Sequence, residues 1–248
     1  MRIDILTLFP EMCNAVISSS IIGRAVAANK VEIFCTNIRD FANNKHNKVD
    51  DTPYGGGMGM VMAAEPIDNA FNSLYDANTE EKPHLIYLSP KGKTFTQQKA
   101  VELSKKERIV LLCGHYEGVD ERVIEKIVDE EISIGDYVLT GGELPALVVA
   151  DAVCRMLPGV LADDVCFTEE SHFSGLLEYP QYTKPAVWQD REVPEVLLSG
   201  HHANIEKWRR KMSLKTTFNK RPELLNSATL NADELKYIDE LREGKHDI

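Results

Sequence analysis

The sequence has no apolar run approaching the roughly 20 residues that span a bilayer, so no membrane partner is expected. Its first nine residues are too short and too acidic for a secretory leader and read as a buried strand of a cytoplasmic protein. Cysteine is sparse. Cys13, Cys35, Cys113, Cys154 and Cys166 are odd in number, scattered, and lack both a Cys-x-x-Cys pair and any Cys/His spacing that suits zinc, so they read as buried thiols. No His-Glu-x-x-His or Gly-x-Ser-x-Gly motif supports zinc or serine hydrolysis. Positive charge is also short: 28 Lys and Arg against 39 Asp and Glu leave a net charge of −11, unlike a generic nucleic-acid binder. No internal repeat or low-complexity tract is found.

What is present is alternation. Strand-like runs at 2–9, 31–37, 84–89, 108–113 and 131–134 are separated by helical patterns at 11–28, 65–76, 96–105 and 120–129. This spacing predicts an α/β fold, a parallel sheet with helices on both faces. Ligands of such sheets bind beyond the carboxyl ends of the strands. Those ends carry Ser89-Pro90-Lys91-Gly92, Gly114-His115-Tyr116-Glu117-Gly118, and Ser133-Ile134-Gly135-Asp136-Tyr137-Val138-Leu139-Thr140-Gly141-Gly142-Glu143. Glycines there let backbone approach a ligand closely, and the helix start that follows offers free N–H donors. Glycines alone fit an ordinary strand-to-helix turn better than a ligand site, with Glu143 favoured by the helix dipole.

Two tempting motifs fail. Gly92-Lys93-Thr94 ends like a phosphate loop, but the first glycine of that motif would fall on Tyr87, and Pro90 stiffens the loop. Gly55, Gly56, Gly57 and Gly59 do not make a dinucleotide fingerprint, because the sixth position is Met60. These glycines lie in an aperiodic insert at 39–62, long enough to be functional or to order only with a partner. A helix at 144–157, apolar almost all round, carries Asp151 and Arg155 four residues apart on one face, an ion pair or a site. A linker at 162–174 offers Glu169, Glu170 and His172. Short helices are then expected at 194–198, 204–219 and 232–243, as a small all-helical unit. From Glu206 to Arg221 seven cations (Lys207, Arg209, Arg210, Lys211, Lys215, Lys220, Arg221) face one anion, a solvated helix face or a phosphate-binding patch.

Several motifs in order now bear on the chain as a whole: Asp51-Thr52-Pro53-Tyr54-Gly55-Gly56-Gly57, Cys113-Gly114-His115-Tyr116-Glu117-Gly118, the 134–143 glycine stretch, Gly175-Leu176-Leu177-Glu178-Tyr179-Pro180-Gln181-Tyr182-Thr183, Ser199-Gly200-His201-His202 and Arg221-Pro222-Glu223-Leu224-Leu225. With them the chain resembles the bacterial tRNA (guanine-N1)-methyltransferases of the SPOUT superfamily, nearly end to end. The resemblance implies a trefoil knot in the C-terminal part of a SPOUT domain (1–160, knot about 85–145). It also implies a linker (161–175), a helical tRNA-binding domain (176–248) and a homodimer with active sites at the subunit interface. The implied reaction is methyl transfer from S-adenosylmethionine to N1 of the guanine immediately 3′ of the anticodon, in the anticodon stem-loop of tRNA.

On these residues the resemblance implies a donor cradle of Tyr87, Leu88, Ser89, Pro90, Gly114, Tyr116, Glu117, Gly118, Ser133, Ile134, Gly135, Asp136, Tyr137, Val138, Leu139, Gly141, Gly142 and Pro145. Arg155 matches the family's essential arginine. The family's aspartate base falls here on Glu170, one methylene longer but of similar pKa, with Glu169 beside it. Lys207, Arg209, Arg210, Lys215 and Arg221 are expected on tRNA phosphates, and Gly55, Gly56, Gly57 and Gly59 over the extruded guanine. Trp208 is expected to pack between helices. No metal ligand set is implied, and whether Mg2+ takes part is not legible in the residues. Competing readings are another SPOUT-type RNA methyltransferase and a non-catalytic RNA-binding relative.

Overall fold

Ile3, Ile5 and Leu6 make strand β1 (Arg2–Thr7), and the buried run Ile109, Val110, Leu111 and Leu112 makes the strand paired beside it. A computed structural model of the chain describes residues 1–161, 170–173 and 175–245, in two compact units, Met1–Asp163 and Asp164–Ile248. In the first, β1 is followed by α1 (Pro10–Ile17), α2 (Ser20–Ala27), β2 (Glu32–Asn37), β3 (Asp50–Asp51), β4 (Val61–Met62), α3 (Ala64–Asn72), β5 (His84–Thr94), α4 (Gln97–Leu103), β6 (Arg108–Cys113), α5 (Glu121–Ile127), β7 (Glu130–Ser133) and α6 (Glu143–Cys154). The main sheet runs β2-β1-β6-β5-β7 with every pair parallel. The α/β expectation is met.

Period-two alternation divides the core between the sheet's faces. Ile3, Ile5, Ile86, Leu88, Ile109 and Leu111 pack with α1, α2, α4 and α6, whereas Leu6, Leu85, Tyr87, Val110 and Leu112 pack with α3 and α5. Both faces are covered, which fixes the carboxyl ends of β5, β6 and β7 as an edge for loops.

Two elements differ from the sequence reading. The helix expected at 11–28 is two helices, because Ser18 and Ser19 turn their hydroxyls back onto the carbonyls of Asn14 and Ala15 (2.7 and 2.9 Å) and Ser20 adopts φ 54°. The chain turns so tightly that a Cβ on Gly23 would stand 2.4 Å from the Ser18 carbonyl oxygen. Strand β5 does not stop at Ser89. It loops out and resumes, so that both Leu88 and Lys93 pair with Ile132.

The second unit holds a hairpin of β8 (Val187–Trp188) and β9 (Arg191–Glu192), then α7 (Glu195–Leu198), α8 (His202–Lys220) and α9 (Ala232–Arg242). The hairpin amends the all-helical expectation. Its central residues Gln189 and Asp190 both have positive φ (48° and 61°), as a two-residue hairpin turn requires, but lack the Asn-Gly signature that would announce it. Leu176, Leu214 and Ile238 form the buried centre of this unit. Asn231 and Glu234 cap α9 reciprocally. Among the described residues no helix is long and apolar enough to cross a membrane. Cys13, Cys113 and Cys154 are buried and Cys35 half-buried, all as free thiols; Cys166 lies outside the described residues.

Phe71 on α3 is fully buried beneath the sheet. Phe71→Ala is expected to lower the unfolding free energy by about 3–5 kcal/mol, read from the urea midpoint; a loss below 1 kcal/mol would mean the site collapses without a cavity.

Candidate active site

Three loops leave the carboxyl ends of β5, β6 and β7. The first, Ser89 to Gly92, is the excursion within β5. Gly92 has no room for a side chain, since a Cβ would lie 2.5 Å from the Glu131 backbone. Beside it, the buried Tyr87 phenol reaches under Gly114, whose Cβ would meet the hydroxyl at 2.8 Å. Burial, and then the Glu131 charge, raise the Tyr87 pKa, so this phenol stays protonated at neutral pH and supports the loop without ionising.

The second loop follows β6. Tyr116 and Gly118 take positive φ (58° and 121°), turning the chain sharply before α5. It is sewn to the end of the glycine-rich insert: Glu117 N–H donates to Met60 O (2.9 Å), Met62 N–H to Gly118 O (2.9 Å), and Asp120 N–H to Met62 O (3.0 Å). The Glu117 side chain lies over Gly59, where a Cβ would stand 2.5 Å from Oε1. The tip of the insert stays in solvent, with Tyr54 and Met58 almost fully exposed and Gly55, Gly56, Gly57 and Gly59 all at positive φ.

The third loop joins β7 to α6 and is drawn against the second. Gly142 N–H donates to Gly114 O at 2.8 Å, and His115 bridges Gly141 antiparallel. Gly142 must be glycine for this approach, because a Cβ would fall 2.6 Å from the Cys113 Cα. Glu143, buried in the first turn of α6, accepts the Thr7 hydroxyl at 2.8 Å and thereby ties the loop to the end of β1. A carboxylate there also suits the positive end of the helix.

Together the loops enclose a cavity of about 250 Å³. Every residue expected to cradle a donor lines it except Asp136. Its walls combine apolar side chains (Leu88, Ile134, Val138, Leu139, Pro145) with bare glycine backbone, which suits a flat ring system with apolar faces and polar edges.

The sequence reading missed Lys91, His115 and Thr140, which also line the cavity; all three stand inside the loops it quoted. His115 packs between Phe9 and Tyr116 (ring centroids 5.2 and 5.1 Å), and its Nδ1 is buried without a hydrogen-bond partner among the described residues.

Of the expected catalytic residues, Arg155 belongs to the first unit but does not line the cavity, and Glu170 belongs to the second unit. Arg155, half-buried, caps α6 with its N–H on Asp151 O (3.1 Å) in the first unit. Glu170, half-buried, begins a short turn in the second, in which the Ser171 hydroxyl accepts Glu178 N–H (2.9 Å) and His172 N–H donates to Leu176 O (2.8 Å). Glu169 and the rest of the expected linker at 162–168 and 174 lie outside the described residues.

The basic segment is α8 with the residue that ends it. Arg209 pairs with Glu206 (3.0 Å), Arg210 with Glu234 (2.6 Å), and Arg221 with Glu223, so part of its charge is met within the protein. Lys207 is exposed and Lys215 half-buried. Trp208 meets Tyr179 and Tyr182 (6.5 and 6.3 Å) of the segment before the hairpin.

Gly142→Ala is expected to force the second and third loops apart and to weaken binding of the cavity's ligand at least 10-fold by calorimetry. Unchanged affinity would show that the close approach is not needed.

The family model for tRNA (Guanine-1)-methyltransferase TrmD matches residues 1–227. A tRNA (guanine-N(1)-)-methyltransferase of Ruminiclostridium cellulolyticum is 60% identical over 226 residues, 91% of this chain and 97% of that protein. Proteins of the same name are 53% identical in Alkaliphilus oremlandii, over 99% of this chain and 100% of that protein, and 54% in Desulforamulus reducens, over 98% and 95%. Matched over almost its whole length by a family model and by relatives more than half identical, the chain belongs to the tRNA (guanine-1)-methyltransferase family.

Proposed function

We propose that the cavity holds S-adenosylmethionine and that the protein moves its methyl group to N1 of the guanine immediately 3′ of the anticodon. The observation that carries this reading is the convergence of three glycine loops on one cavity at the carboxyl ends of β5, β6 and β7. The donor supplies a methyl group on a sulfonium sulfur, an electrophile that needs alignment rather than activation. Glycine backbone at Gly114, Gly118, Gly135 and Gly141 meets the donor's polar edges, and Leu88, Ile134, Val138, Leu139 and Pro145 its apolar faces.

The chain's other tasks concern the guanine. Its N1 carries a proton that must leave, and Glu170 is the base that takes it. Negative charge then gathers on O6, where Arg155 offsets it. The Gly55–Gly59 tip, fastened beside Glu117, closes over the extruded base and sheds water from the reacting atoms. Lys207, Arg209, Arg210, Lys215 and Arg221 face the tRNA backbone, with Lys207 and Arg221 exposed for it.

Three further features belong to this reading. A trefoil knot fits the way residues 135–142 lie across the 113–115 backbone. A homodimer fits the apolar side chains left in solvent on adjoining helices: Met12 and Val16 on α1, Leu144 and Val148 on α6. On α6 that row continues along the same face towards Arg155, so a second copy covering it would bring the arginine to a shared site. The domains are 1–160 for methyl transfer, 161–175 as linker and 176–248 for tRNA, in the cytoplasm.

Methyl incorporation into a tRNA transcript with guanine 3′ of the anticodon tests the reading. Glu170→Gln is expected to lower kcat by at least 100-fold with donor affinity intact, and a fully active variant would move the base elsewhere. Arg155→Ala is expected to lose about 100- to 1000-fold in kcat with unchanged donor binding in equilibrium dialysis; parallel loss of donor binding would make the arginine structural.

A further inference from the structure

Aromatic side chains make up only 7% of the chain, yet both tryptophans fall in the second unit. Neither belongs to its buried centre around Leu176, Leu214 and Ile238. Trp188 is 59% exposed at the hairpin and Tyr182 is 48% exposed beside Trp208. Large aromatic rings usually contribute most by being buried, so folding alone does not account for rings left in water. Of the two, Tyr182 belongs to an ordered arrangement. Trp208 meets Tyr182 at 6.3 Å and 55° and Tyr179 at 6.5 Å and 65°, and the Arg209 guanidinium lies 4.9 Å over the Tyr179 ring. The planar groups of Tyr179, Tyr182, Trp208 and Arg209 thus make one patch on the N-terminal half of the basic helix α8.

We propose that this patch, with Tyr182 as its outer face, is a stacking site for an unpaired RNA base. The proposal rests on the tRNA reading above and adds what holds the RNA. Charge points to a polyanion: seven cations against one anion lie between Glu206 and Arg221 in a protein of net charge −11, and exposed Lys207 adjoins Trp208. Charge alone is a weak hold here, because Arg209, Arg210 and Arg221 already pair with Glu206, Glu234 and Glu223. Stacking supplies the remainder and tolerates any base, since every base has a π face. Bases inside a duplex have both faces covered and cannot use Tyr182, so the partner is a loop or a splayed nucleotide.

The test uses the full chain, without donor, against two labelled RNAs: an anticodon stem-loop and a blunt duplex of the same length. Tyr182→Ala is expected to weaken stem-loop binding about 10-fold, to leave duplex binding and the salt dependence unchanged, and to be rescued by Tyr182→Phe. Equal loss on both RNAs, or no loss, overturns the stacking site while leaving the tRNA reading intact. Failure of the wild-type chain to bind the stem-loop overturns both. Because Tyr182 is half exposed, matching thermal unfolding of the variants separates lost stacking from lost structure.

Discussion

The site depends on one close approach of backbone to backbone. Gly142 lies against Cys113 and Gly114 with no space for a Cβ, and its N–H is held by the Gly114 carbonyl at 2.8 Å. That contact sets the loop after β7 onto the loop after β6. Around it the other restraints follow: the His115–Gly141 bridge, the buried Thr7–Glu143 hydrogen bond, and the pairing of residues 60–62 with 117–120. Each is a backbone or buried polar contact at the rim of a sheet whose faces are already packed. A cavity of bare backbone needs such a frame, because glycine loops left to themselves are the most costly segments to order.

This arrangement also explains why the glycines are unevenly informative. At Gly55 and Gly56 a Cβ would meet nothing within 4 Å, so those positions need glycine for their positive φ alone. At Gly142 and Gly114 the constraint is space. The first kind gives a loop its turn, and the second lets two loops become one wall.

Much of this was legible in the sequence, for identifiable reasons. Short apolar, strand-like runs such as 2–9 and 108–113 mark buried strands, and strands alternating with helices leave a parallel sheet as the natural solution, so the loop edge could be located before any coordinates. What escaped notice had no local signature. The break at Ser18–Ser20 interrupts a helix whose apolar periodicity continues across it, and the hydroxyl-to-carbonyl bonds and the positive φ of Ser20 reveal it. The hairpin at Gln189–Asp190 puts glutamine, which does not advertise positive φ, at its first turn position and has no glycine at its second. The fastening of the insert to residues 117–120 is made by backbone groups, which every residue carries alike. The counting of cations on α8 overlooked carboxylates brought in from α9, as Glu234 is for Arg210.

The central claim is that the cavity formed by the three loops is the donor site. Hydrogen exchange with and without saturating S-adenosylmethionine addresses it directly. The account predicts slowed exchange at the amides of residues 114–118 and 134–142, with little change on α3 or α4. Donor binding that left both loops unprotected, or protected a region away from the carboxyl ends of β5, β6 and β7, would contradict it.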